Sequence, residues 1–496
     1  MQQIVSYSIL VTGAILVAFA VSLGMVGTVQ LTSRRASGYM HLIFYAMVLM
    51  VALSTLFSAR DLAAVSALSA DLQPEIARDP FLTVVQRLVS LLLVAVTGER
   101  ILSYWVRREK AAFASPVLLI TFILFWTCTV ALPAFLGAKP FVSHDYAYTL
   151  VMGIAAVLVT GAERDLAFKA ARNALLLFMV VSLLLIPVKP ALVLDFSYNQ
   201  GLLPGVPRLA GLAVHPVSLG VLAQLSLLCL IAFPFQRRWL NVLAWSIGLA
   251  VLFLAQSKTS WISFILCLIT IMTVRHAPGF WRRAGDPVRP ELGIVSILVF
   301  MLVVLGTALI VMFGDLDAKL SGFFSSSEGA QLVSLTGRDK IWAIAYEEWL
   351  RNPVFGYGPT IWDEVFRKAI GMPNASHAHN QFMDTLSRSG SVGAVSLVIY
   401  ALVLLVFSVR YARASKGLTL ALFLALAIRS ISEVPLSLFG YGEELLTHLL
   451  LLMALGASAR ELRVPKTASQ RSQIPPVSSS RLFPVQEPLS NARVTS

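Results

Sequence analysis

The 496-residue sequence predicts an all-α polytopic membrane protein with about 12–13 transmembrane helices and one large helical extracytoplasmic loop. Three observations predict it. The chain is 57% hydrophobic and 13% charged, and its apolar runs are too long and too many for a soluble core. Thirteen of these runs approach the roughly 20 apolar residues that a spanning helix needs. Lys and Arg also alternate between poor and rich connections. One set of loops holds eighteen of them, among them Arg34, Arg107, Arg164, Lys169, Arg172, Arg237, Arg282 and Arg413. The other set, leaving out the long loop, holds six: Arg60, Arg78, Lys139, Lys189, Arg208 and Lys258. The rich set is expected to be cytoplasmic, which puts the N-terminus and the long loop outside.

The runs follow in order. Residues 5–29 lack a basic leader and are long enough to span, so they read as a first span and not a cleavable signal. Spans are then expected at 39–57, 81–98, 115–136, 146–162, 173–187, 211–235, 239–256, 259–275 and 291–313. Three more are expected at 390–409, 417–436 and 441–458. Runs 146–162 and 173–187 are short. The last two runs contain Arg429, Glu433, Glu443 and Glu444, an unusual load of charge for apolar helices. The expected division is 1–313 for ten spans, 314–389 for the external loop and 390–459 for the remaining spans. The tail, 460–496, is expected to be disordered and cytoplasmic, because its five prolines and seven serines leave little to bury.

The formal charge of +13 does not point to nucleic acid, because the basic residues are scattered between hydrophobic runs. Cys128, Cys229 and Cys267 all lie inside apolar runs. They make neither a disulfide framework nor a metal spacing.

Candidate chemistry concentrates in the long loop. A helix is expected from about Gly337 to Arg351, capped by Thr336, with Ile341, Trp342, Ala345, Tyr346 and Trp349 at helical spacing and Asn352-Pro353 as its stop. That aromatic stripe reads as packing or an interfacial face before a sugar platform. Gly356-Tyr357-Gly358-Pro359 is a tight turn that either simply reverses the chain or places Tyr357 at a site. His377-Ala378-His379-Asn380 follows. A histidine can take a proton near neutral pH, here from a sugar hydroxyl. The alternatives are surface or capping histidines, or a metal pair without a third ligand at recognisable spacing. Read as extended chain, His377 and His379 project to one face at different depths. Outside the loop, Arg208 precedes the seventh run, with His215 about one turn inside it, and Lys258 joins the eighth and ninth. Two cations on the outer side suit a diphosphate, or else snorkel at the interface.

Four stretches, RLAGLAVHPVSLG, SKTSW, LTGRDKIW with NPVFGYG, and HAHNQFMDTLSRSGSVG, fall in that order within about residues 205–395. Through them the sequence resembles the O-antigen ligase and polymerase superfamily of bacterial envelope proteins, and within it the exopolysaccharide polymerase branch. The resemblance implies transfer of a glycan from undecaprenyl diphosphate to an acceptor hydroxyl, with inversion and with neither metal nor other cofactor. It implies a place in the bacterial inner membrane, with the active loop on the periplasmic side. It makes His379 the residue that acts on the acceptor. It matches Arg208 and Lys258 to the family's outer cations, and Arg338 to a position that is either structural or ligand-contacting. With His377, Asn380, Tyr357 and His215, read from the residues themselves, these are the expected substrate contacts. Lys258 departs from the arginine common at its position, which keeps the charge and loses the fork. The expected partners are the lipid-linked donor, a glycan or lipid A core acceptor, the membrane, and a chain-length regulator; nucleic acid is not among them. Polymerisation of exopolysaccharide or O-antigen repeat units, ligation to lipid A core or protein, and transport or flipping of lipid-linked glycan remain the three competing functions. Mostly apolar span interiors disfavour transport.

Overall fold

Eleven of the thirteen predicted spans fall on helices in a computed structural model of the chain. The structure describes residues 38–58, 60–62, 80–106, 115–196, 205–284, 338–372 and 375–463, with isolated positions near 22–27 and at 301. The expected spans at 5–29 and 291–313, the cap Thr336 and the tail from 464 lie outside the described residues.

The bundle is built from α1 (Leu42–Leu56), α2 (Pro80–Val106), α3 (Pro116–Trp126), α4 (Leu132–Leu136), α5 (Asp145–Val157) and α6 (Gly161–Leu184). It continues through α7 (Pro216–Ala232), α8 (Arg238–Leu254) and α9 (Lys258–Ala284). A π turn, Thr127–Ala131, joins α3 to α4. The loop contributes α10 (Arg338–Arg351) and α11 (Glu364–Ala369), and the chain returns through α12 (Gln381–Arg410), α13 (Leu418–Ser432) and α14 (Leu445–Arg463). Six of these segments are long and apolar enough to cross a bilayer, and α1, α5, α7, α8 and α13 are shorter apolar helices. This is an all-α polytopic membrane protein. Its only described strands are β1 (Leu194–Asp195) and β2 (Arg208–Leu209), paired antiparallel.

Two stretches of the sequence differ from expectation. Residues 163–172 are not a loop. Helix α6 starts at Gly161, because Thr160 closes a capping box with Glu163, and Lys169 and Arg172 ride on the helix. Arg172 satisfies its guanidinium at the Phe233 carbonyl and over the Phe235 ring, 3.6 Å from its centroid. Arg100, counted with a loop, sits within α2. Its Nε and Nη2 donate to the Leu158 carbonyl at 2.9 and 2.6 Å, and Nη1 reaches Glu163 at 3.3 Å. Glu163 also accepts from the Gly38 backbone N–H at 3.0 Å. This buried cluster closes one end of the bundle.

The loop folds around a small core of its own: Ala345, Ile361, Trp362, Phe366, Ala375 and Ala378, with Ile341, Tyr357 and Met383 packed against it. Burying each large side chain here is worth about 1.5–3 kcal/mol. An exchange of hydrogen bonds then fastens the loop to α12. Gly390 breaks that helix at φ 64°, ψ −164°. The Ser387 and Arg388 carbonyls, which would have met Ser391 and Val392, accept instead from Tyr357 and Gly358 N–H at 2.9 and 3.0 Å. Ser391 and Val392 N–H donate to the Pro353 and Val354 carbonyls at 2.8 and 3.2 Å. The NPVFGYG stretch is thus a splint across a broken helix, and these four backbone groups freed by the break are paired again. Gly390 needs its positive φ, and a Cβ there would collide with the Val354 carbonyl.

Candidate functional site

At the opposite end of the bundle from Arg100 lies a cavity of about 550 Å³. It is walled by the starts of α2 and α14, His377 of the HAHN turn, the head of α12 and residues 433–444, which connect α13 to α14. His379 stands beside this lining, against Glu433, and not in it. Its polar lining includes His377, Asp384, Arg388, Glu433, Glu443 and Glu444.

The HAHN turn is held from several sides. Asn380 caps α12, its side chain accepting from Met383 N–H at 3.0 Å and donating to the Ile431 carbonyl at 3.2 Å. Ala378 N–H donates to Asp384 Oδ1 at 3.2 Å, and its carbonyl accepts from Trp342 Nε1 at 2.8 Å. Ile341, Trp342 and Ala345 of the α10 stripe therefore pack the loop, while Tyr346 is exposed. Asp384 is braced by Arg388, whose Nε donates to Oδ2 at 3.1 Å and whose Nη1 binds the Pro359 carbonyl at 2.7 Å. Arg388 also lies over the Phe439 ring at 4.8 Å.

The two histidines are not on extended chain. His379 takes φ 47°, the left-handed region that non-glycine residues rarely occupy. The turn brings the rings to 4.2 Å between centroids and lets His379 N–H donate to His377 Nδ1 at 3.1 Å. Both rings meet Glu433, the C-cap of α13. His377 Nε2 and His379 Nδ1 lie 3.2 and 3.3 Å from Glu433 Oε2. Burial alone would raise the Glu433 carboxyl; the His379 hydrogen bond, Arg429 and both imidazoles hold it down to about 2. His377 is lowered by burial and by the like charge of His379, with Glu433 opposing. One ligand atom from each of His377, His379 and Glu433 falls within 4.8 Å of the others, so the third ligand that the sequence lacked is present in space.

The other expected contacts are placed as follows. His215 does not sit inside its helix but caps α7, its Nδ1 accepting from Val217 N–H at 3.2 Å. Arg208, Asp195, Glu433 and Arg429 all act electrostatically on its ring. Arg208 is buried, donates Nε to the Ala255 carbonyl at 3.2 Å and stands opposite Asp195 in the ladder. Lys258 is exposed at the first turn of α9. Neither Lys258 nor Arg338 lines the cavity. Tyr357 turns away from it, its ring 5.0 Å edge-on to Phe366 in the loop core. Asn380 acts on backbone groups at the turn, and beside it opens an apolar groove of about 360 Å³ between α12 and α13.

Sequence reasoning missed Glu433, Glu443, Glu444 and Arg429 as site residues. The signal was there. All four interrupted the last two apolar runs, and charge at membrane depth marks a site by default. Arg429 pairs with Glu444 at 2.6 Å, and Glu443 Oε2 has no partner among the described residues.

Comparison with curated proteins finds no match. Residues 242–398 match the family model described as O-antigen ligase, a segment that holds His377, His379, Asp384 and Arg388 and ends before Glu433. Over these residues the chain is similar to an O-antigen ligase domain, which supports its resemblance to the O-antigen ligase and polymerase superfamily.

Proposed function

We propose that the protein polymerises exopolysaccharide or O-antigen repeat units, moving a glycan from undecaprenyl diphosphate to an acceptor hydroxyl without metal and with inversion. The observation that carries the reading is the HAHN turn, which lies inside the matched segment and puts His377 in the wall of a polar chamber with His379 beside it on Glu433. In the reaction, His379 takes the proton of the acceptor hydroxyl. The oxygen's electron pair bonds to the sugar C1, the C1–O bond to the diphosphate breaks, and its pair leaves with the carrier. The diphosphate is already a good leaving group, so the protein's work is positioning, charge neutralisation and one proton transfer.

Carboxylates and hydroxyls in the chamber wall suit sugar hydroxyls, so the chamber is assigned to glycan. Arg208 and Lys258 are the proposed diphosphate contacts. For Arg208 the support is its place in the charged neighbourhood of His215 and Glu433. The apolar groove beside Asn380 offers the carrier's polyprenyl chain a path along α12 and α13. The loop side of the bundle is assigned to the periplasm by the Lys and Arg asymmetry. The division at 313, 389 and 459 and a chain-length regulator as partner belong to the same reading.

Analysis of lipid-linked oligosaccharide in a deletion strain tests it, with wild type or His379→Ala restored at equal protein abundance. Accumulated single repeat units with short or absent polymer are expected for His379→Ala. Full-length polymer left on the carrier would assign ligation instead. Normal polymer on normal carrier would remove the base from His379.

A further inference from the structure

Glu433 lies beyond the matched segment, 54 residues after His379, yet it completes the histidine turn. Two hydrogen-bond arguments give it a role. The first concerns His377. Its Nδ1 accepts from the His379 backbone N–H at 3.1 Å, so in the neutral ring, as oriented here, the hydrogen sits on Nε2. That Nε2–H points at Glu433 Oε2, 3.2 Å away. The second concerns His379. Its Nδ1 is 3.3 Å from the same oxygen, and an ionised carboxylate can only accept. Nδ1 therefore carries the hydrogen in the neutral ring, and the lone pair is left on Nε2. That nitrogen has no partner among the described residues.

As the rings are oriented, the same geometry favours a base over a metal site. Two imidazoles and one carboxylate are also a metal-ligand set. A ligating imidazole presents a lone pair to the metal and donates its other N–H to an acceptor. His377 does the reverse: its Nδ1 accepts, and its Nε2 offers a hydrogen to Glu433.

We propose that Glu433 is the positioning residue for His379. It fixes the tautomer with Nε2 free to take the acceptor's proton, and it stabilises the imidazolium that forms; His377 holds the carboxylate from its other side. The proton goes from acceptor oxygen to Nε2 as the C1–O bond to the diphosphate breaks, and then to water. Glu433 itself exchanges no proton. It is anchored for this. Its N–H donates to the Arg429 carbonyl at 2.8 Å, and the turn opposite is pinned by Trp342, Asp384 and Asn380. The inference rests on the transfer reading given above and extends the site past the matched domain.

The test uses the purified full-length protein with a lipid-diphosphate-linked glycan donor and follows release of the carrier diphosphate. Glu433→Gln is expected to lower kcat by about 10²-fold or more, because a carboxamide can donate to Nδ1 and so select the wrong tautomer, while donor KM stays within about twofold. Glu433→Asp should recover part of the rate. In a His379→Asn background, Glu433→Gln should cost nothing further, because the group it orients is gone. A Glu433→Gln rate within about threefold of wild type, or a full additive loss in the double variant, overturns the proposal. Should Glu433→Gln fail to accumulate, Glu433→Asp decides. A fall confined to kcat supports the proposal, and one carried by KM overturns it. His379→Asn at the wild-type rate would sink the transfer reading and this inference with it. An inactive His379→Asn beside an active Glu433→Gln would sink the inference alone.

Discussion

The bundle buries charge at both ends, and the two ends use it differently. At the end of Arg100 most of the buried charge is taken up by the protein, Arg100 by Glu163 and the Leu158 carbonyl, Glu163 by Gly38, Thr160 and Arg100, although Glu99 Oε2 beside them has no partner among the described residues. Cavities among the described residues at that end are smaller, about 250 and 190 Å³, against about 550 Å³ at the other. At that other end the partners are just as close, but the charges line a chamber. His379 Nε2 and Glu443 Oε2 are left without partners among the described residues. A closed network contributes to folding, whereas an incompletely used one around a void has capacity for a substrate. Charge at membrane depth is expensive in both places, so the way it is satisfied, more than its presence, separates scaffold from site.

The sharpest test of this contrast sets one residue from each end side by side. His379→Asn keeps a residue type that tolerates the left-handed backbone, so it should leave thermal stability in detergent nearly unchanged. The transfer rate should fall by about 10²–10⁴, the usual cost of losing a general base. Arg100→Ala should do the opposite. Removing one partner of a buried pair leaves Glu163 uncompensated and should destabilise by about 3–5 kcal/mol, while the molecules that remain folded keep their specific activity. Thermal denaturation and transfer assays on both variants check this. A His379→Asn protein as unstable as Arg100→Ala would mean that the two ends are the same kind of structure.

Gly390→Ala probes the joint between bundle and loop. Alanine is strained at φ 64°, and its Cβ meets the Val354 carbonyl, so the splint must shift. A destabilisation of about 1–3 kcal/mol is expected, with a loss of transfer because the same helix head carries Asp384 and the HAHN turn. Limited proteolysis between residues 352 and 380 should speed up. Unchanged cleavage with unchanged activity would show that the turn does not depend on the splint.

Much of the fold was legible because hydropathy reports burial in lipid directly. Runs of the right length became helices at every expected position that the structure describes. Boundaries were less legible where local chemistry overrode hydropathy. Thr160 and Glu163 start α6 at Gly161, twelve residues before the expected run at 173, and His215 starts α7 five residues after the expected start at 211. Within the site, His377, His379 and Asn380 were visible as an unusual cluster. The position of Glu433 relative to them depends on a pairing across 54 residues, which no periodicity encodes. Tyr357 illustrates the converse. A tight Gly-Tyr-Gly turn looked like a way to present a ring to substrate. Its backbone, and not its ring, is what α12 uses.

The smallest expected effect concerns pH and belongs to the chamber end alone. Burial pushes the Glu443 carboxyl up to about 7, with the like charge of Glu444 adding to it, while Ser218, Arg429 and Arg60 oppose the shift. An acid raised on folding binds more protons folded than unfolded between its ordinary value of 4.5 and about 7. Stability therefore falls as pH rises through that window, is fully present below it, and does not change further above it. Glutamine imitates the protonated form. Glu443→Gln should thus match wild type near the bottom of the window and be more stable above the top of it. The gain should be about 1 kcal/mol, since a chamber open to water screens the charge. Melting temperatures of both proteins across this pH range provide the measurement. Wild type and variant with parallel profiles would show that Glu443 ionises as freely in the chamber as in the unfolded chain. The unpartnered oxygen would then mark no shortage of solvent at this end of the bundle.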